Sequence, residues 1–167
     1  MGKISKASLA SATKLLSGMT FGEKEQLCDE IYQTQPNLLA SVLVLSRMGQ
    51  EMPQIEVVLE ILMVIHLALR ASTTRLKLIT EADQERALQR LVATVRFSDG
   101  LSVALQDESI GQYEAFQTEP SLLAFVFGRL EETGILEDTR EDSKYLILAA
   151  LNLAACVASA RSAQKTT

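Results

Sequence analysis

The chain has 167 residues, 47% of them apolar, a net charge of −5, 5% aromatics and no Trp. That is enough for one well-buried core, filled by Leu, Ile, Val, Ala and Met, and one domain spanning 1–167 is expected. Three Pro and eight Gly are too few for the turns of a sandwich or barrel, and the acidic balance argues against nucleic acid as a partner, since phosphate contacts call for a basic surface.

Residues 1–6 read as disordered. Ala7 to Leu16 reads as a short helix with Leu9, Ala12, Leu15 and Leu16 on one side, ended near Gly18. Thr20-Phe21-Gly22-Glu23 has the spacing of a capping box, in which the Thr hydroxyl and the Glu carboxylate satisfy each other's backbone amides. The helix it opens runs to about Thr34, with Phe21, Leu27 and Ile31 expected inward and Cys28 beside them. Pro36 cannot continue that helix but can open another, because its fixed φ and missing N–H are harmless in a first turn. This third helix, Asn37 to Arg47, is expected to turn Leu38, Leu39, Val42, Leu43, Leu45 and Met48 inward and to stop at Gly49. Pro53 opens a fourth, running to about Ala71. Glu56 and Glu60 sit near its dipole-favoured N-terminal end. Beyond Glu60 it is apolar nearly all round, the mark of a buried central helix.

Thr80 reads as the N-cap of a helix from Glu81 to about Phe97, with Leu88, Leu91, Val92 and Val95 as its stripe. Leu101 to about Phe116 is expected to be helical. Pro120 opens Ser121 to Glu132, packing through Leu122, Leu123, Val126, Phe127 and Leu130. The acidic connector Glu137 to Asp142 leads into a last helix, Ser143 to about Ala160, and 162–167 reads as a disordered tail.

One stretch occurs twice. Gln33-Thr34-Gln35-Pro36-Asn37-Leu38-Leu39-Ala40-Ser41-Val42 returns 84 residues later as Gln117-Thr118-Glu119-Pro120-Ser121-Leu122-Leu123-Ala124-Phe125-Val126, with seven of ten positions identical. Farther on, Ile61–Ala68 aligns with Ile147–Ala154, placing His66 opposite Asn152. Self-similarity at an offset of 84 residues, 86 after a two-residue insertion in the connector, indicates a duplicated unit, about 20–72 and 104–160. Two copies are too few for a solenoid, so the expected fold is an all-α bundle of seven or eight helices with pseudo-twofold symmetry.

The chemistry is sparse. His66, the only histidine, has no nucleophile beside it in sequence, and its counterpart Asn152 is no base. Cys28 and Cys156 stand alone, without metal-ligand spacing. The connector at 137–142 lacks the residue order of a calcium loop, and no phosphate-binding or hydrolase motif occurs. No catalytic residue, cofactor or metal is therefore assigned. Arg86 and Arg90 read as solvated charges. The apolar runs Ile61–Leu69 and Tyr145–Ala158, broken by His66 and Asn152, fall short of the roughly 20 residues of a bilayer span, and no secretory region opens the chain.

The expectation is a cytoplasmic, non-catalytic helical protein that binds a protein partner, a second copy of itself included, and neither nucleic acid nor membrane. The Pro-opened helices are apolar over more than one stripe, which nominates Leu39, Leu43, Leu123 and Phe127 as interface residues. The alternative is a small-molecule binder with an apolar pocket between helices, anchored by His66, Arg70 and Asn152. An enzyme of unknown class ranks third.

Overall fold

Local signals set where each helix begins. The computed structural model describes residues 2–97, 118–138 and 140–165. Among them every regular element is helical: α1 (Lys6–Ser17), α2 (Phe21–Thr34), α3 (Pro36–Leu43) continued by a 3-10 turn (Val44–Met48), α4 (Met52–Ala71), α5 (Glu81–Phe97), α6 (Pro120–Glu132) and α7 (Ser143–Lys165). The helix expected over 101–116 lies outside the described residues.

The capping box at Thr20 forms as the sequence predicts: Glu23 N–H donates to the Thr20 hydroxyl (3.2 Å) and Thr20 N–H to the Glu23 carboxylate (3.4 Å). Thr80 and Asp83 make the same reciprocal pair at the start of α5, at 3.1 and 2.9 Å. α3 and α6 each have proline in the first turn and no side-chain cap. The residues before those prolines have nearly the same backbone, φ −141° and ψ 63° at Gln35, φ −135° and ψ 68° at Glu119. Both lie outside the α region, as the clash with a following proline ring requires. Gly49 and Gly134 take φ of 82° and 77° just past helix ends, conformations open to glycine because it lacks a Cβ.

α4 and α7 pack against each other at the centre. α1 lies along α4, α5 along α7, α6 against both, and α2 and α3 on α4. α4 buries Ile61, Leu62, Met63, Val64 and Ile65 in succession, so it is covered on nearly every side. α7 buries Ala150, Ala154, Ala155 and Ala158, small side chains that let neighbouring backbones come close.

Several inward expectations are corrected. Leu15, Phe21, Leu43, Met48 and Leu88 are exposed, Phe21 by 79%. Met48 belongs to the 3-10 turn, whose three residues per turn rotate it off the face continued from α3. Residues 2–5, read as disordered, form no regular element but are fastened to the core, and Ile4 is buried. The last helix continues through Lys165 instead of fraying at 162. The reading of the apolar runs as too short for a bilayer also changes. α4 and α7 both have the length and composition of a membrane span, because one His or Asn does not interrupt an apolar helix. In each, 56% of the most apolar window is buried inside the fold.

Candidate functional site

Two buried polar hubs fasten the irregular segments that precede α1 and α5. Gln35 is buried between α2 and α3. Its Oε1 accepts from Ile79 N–H (2.9 Å), and its Nε2 donates to the Lys77 carbonyl (2.9 Å). Asn37 Nδ2 adds a bond to the Ile79 carbonyl (2.9 Å), and Gln84 Nε2 returns one to the Asn37 carbonyl (3.0 Å). Glu119 takes the corresponding role before α6. Its Oε2 accepts from Ile4 N–H (2.8 Å) and its Oε1 from Arg161 Nε (2.8 Å). Both Glu119 and Arg161 are only 2% exposed. Arg161 also donates to the Gly2 carbonyl and to Thr74 Oγ1, the latter at 3.3 Å. A charge buried this deeply is tolerable only when paired and hydrogen-bonded, and this pair meets that condition. Sequence reasoning missed it. The available signal was the single charged substitution inside an otherwise repeated Gln-Thr-x-Pro.

Beside the Gln35 hub lies a groove of about 640 Å³ between α2, the C-terminal end of α4 and the segment that follows. Glu30, His66, Leu69, Arg70, Arg75 and Leu76 are among its lining residues. His66 Nε2 lies 2.8 Å from Glu30 Oε2, and Arg70 Nη1 donates to the same oxygen at 3.1 Å. The His66 hydrogen bond, with support from the Arg70 charge, holds the Glu30 carboxyl below its ordinary value of 4.5. A depressed folded-state pKa stabilises the fold above the unfolded value, and that contribution is lost as pH falls through the folded one. Glu30 is 40% exposed, so screening keeps the effect below about 1 kcal/mol. The expected result is that Glu30→Gln is less stable than the parent at pH 7 and that the difference closes below about pH 4.5. Urea unfolding of both proteins across pH 3–7 measures it; a pH-independent difference would show that the ionisation of Glu30 contributes nothing.

The structure separates the three residues nominated as ligand anchors. His66 and Arg70 share the groove, but Asn152 does not. Asn152 Nδ2 donates to the Gln84 carbonyl (3.3 Å), and its buried Oδ1 has no hydrogen-bond partner among the described residues. His66 and Asn152 do not bond each other directly, because each turns toward the helix covering its own side: His66 meets a carboxylate on α2, and Asn152 a backbone carbonyl on α5. His66 pairs with a carboxylate on α2 that its own helical neighbourhood could not reveal.

Of the nominated interface residues, Leu39 and Leu123 are buried within the chain, Phe127 is partly buried, and Leu43 is 51% exposed. Leu43 belongs to a run of exposed apolar side chains at the α3–α4 junction with Val44, Met48 and Met52, the last 61% exposed. Gln50 Nε2 donates to the Asp142 carbonyl (2.6 Å), which brings the first turn of α7 and exposed Tyr145 to the same end. The connector there is further held by Arg140, which grips Asp138 through Nε and Nη2 at 2.7–3.1 Å and keeps that carboxyl strongly depressed.

Cys28 and Cys156 are both free thiols. Burial pushes the Cys156 thiol up to about 12 and also raises Cys28, so neither is activated as a thiolate. Among the described residues no three His, Cys, Asp or Glu side chains converge as metal ligands. Compared with family models, curated proteins and solved structures, the chain matches none.

Proposed function

We propose that the protein is a non-catalytic helical interaction module of the cytoplasm that associates with a second copy of itself. The observation that carries this reading is the exposed apolar run Leu43, Val44, Met48 and Met52, with Tyr145 at the same end. Single exposed apolar residues are ordinary on a protein surface, but four within ten residues at one helix junction concentrate apolar surface there, which favours a partner. A closed twofold contact is the commonest way to cover such a patch with the same surface on another chain. Leu39 and Leu123 are already covered internally, so the contact would centre on the C-terminal end of α3 rather than on its whole length.

The chain would have arisen by duplication of a helical unit. Supporting this are the repeated Gln-Thr-x-Pro, the matched backbone at Gln35 and Glu119, and the fact that each of these residues holds the segment entering a helix. In a duplicated bundle α3 corresponds to α6 and α4 to α7.

Light scattering at micromolar concentration tests the association. The parent is expected to be a dimer. Met52→Glu places an unpaired charge in the contact, at a cost of at least about 2–3 kcal/mol, and should weaken association by about a hundredfold without unfolding the monomer. A parent protein that stays monomeric at 100-fold higher concentration would remove this reading.

A further inference from the structure

We propose that the groove between α2 and the C-terminal end of α4 binds a small organic monocarboxylate with a short apolar body. This goes beyond self-association and does not rest on it. The groove's volume, about 640 Å³, lies in the range of small-molecule sites, and it combines an apolar wall with a few convergent polar groups. Leu69 and Leu76 supply the wall.

The charges select the ligand. Arg70 uses Nη1 on Glu30 and keeps the rest of its donor fork. The Arg75 guanidinium has no carboxylate partner among the described residues, although its side chain lines the same groove. Two arginines and one glutamate leave one positive charge in excess before His66 is counted, on a chain whose net charge is −5. One anionic group balances that excess. A second negative charge on the ligand would face Glu30, whose carboxylate is held ionised by His66 and Arg70. Arginine matches the two oxygens of a carboxylate with parallel donors.

The rim carries one more feature. Thr73, which also lines the groove, has φ of 56°. A β-branched residue is strained there, and such strain concentrates where a backbone must hold a fixed shape against a ligand. The Thr73 turn sets Arg70 at the end of α4 and Arg75 in the following segment on the same groove.

His66 is the only histidine, so its imidazole gives one unambiguous NMR cross-peak inside the groove. The test titrates the full chain with octanoate, 1-octanol and octyl phosphate at pH 8, where the phosphate is a dianion. Octanoate should shift the His66 cross-peak saturably and 1-octanol should not. Arg75→Gln should weaken octanoate binding by about tenfold, the scale of one lost charge-assisted hydrogen bond. That side chain is exposed, so the variant should keep the parent's circular dichroism. The proposal is overturned if the His66 signal stays still, whether octanoate fails to bind or adsorbs elsewhere, including on the Leu43–Met52 patch. It is likewise overturned if the alcohol binds as well as the acid, or if Arg75→Gln has no effect. Tighter binding of octyl phosphate would overturn the assignment to a monoanion.

Discussion

Arg161→Leu should lower the unfolding free energy by about 3–5 kcal/mol, the expected effect of removing one partner from a buried ion pair. The arginine itself contributes little of that net stability. The loss comes from Glu119, left 2% exposed with a charge that, among the described residues, only the Ile4 amide still satisfies. The double variant Glu119→Gln/Arg161→Leu should therefore be more stable than the single one and fall within about 2 kcal/mol of the parent, because replacing both partners removes the stranded charge. A glutamine at 119 keeps the acceptor for Ile4, as Gln35 does for Ile79 from nearly the same backbone geometry. The Gly2 carbonyl, on an exposed residue, can turn to water. Urea midpoints at constant m-value give both numbers. Equal stability of the single and double variants would show that the buried charge is not what matters. A second readout localises the effect: Ile4 and Ser5 lead into α1, so amide exchange in α1 should quicken in Arg161→Leu before it does in α5.

How much of this was legible in the sequence depended on how far each signal reached along the chain. The Thr20 box, the prolines at 36 and 120 and the stop at Gly49 act within four residues, and each is found where the sequence places it. Burial of α4 was legible too, since a helix apolar on nearly every side has to be enclosed. The inward faces of α3 and the following turn were only half legible. Periodicity gives the direction of a side chain but not where the covering helix ends, so Leu43 is exposed although Leu39, one turn earlier, is buried. The long-range polar contacts were not legible at all. Glu30 meets His66 across 36 residues, and Glu119 meets Arg161 across 42, distances over which helical spacing carries no information. Of the proposed anchors, His66 and Arg70 came together because they are one turn apart on α4. Asn152 did not join them, because its helix turns that position toward α5.

Gln35→Leu should cost about 2–3 kcal/mol although the substitution preserves most of the side-chain volume. The wild-type amide serves two backbone groups of one irregular segment, accepting from Ile79 N–H and donating to the Lys77 carbonyl, both at 2.9 Å. Leucine leaves both without that partner. The Ile79 amide is buried, so it bears a full desolvation penalty of about 1–3 kcal/mol, while the carbonyl of exposed Lys77 can recover water. Asn37 still holds the Ile79 carbonyl, so the segment should loosen rather than detach, and Ile79 should lose exchange protection first. Gln35→Glu sharpens the test through its pH dependence. An ionised carboxylate still accepts from Ile79 but cannot donate to Lys77, and Arg161, which neutralises Glu119, is bonded to Glu119, Gly2 and Thr74 instead. Burial should therefore raise the folded-state pKa of the introduced carboxyl above the unfolded value of about 4.3. Stability close to the parent's should be present below that value, where the protonated acid can donate as the amide did, and should be lost as pH rises through the folded pKa. Urea unfolding of both variants from pH 3 to 8 tests the argument. A pH-independent deficit in Gln35→Glu, or a neutral Gln35→Leu, would mean that the segment entering α5 is held by Asn37 and packing rather than by the buried amide.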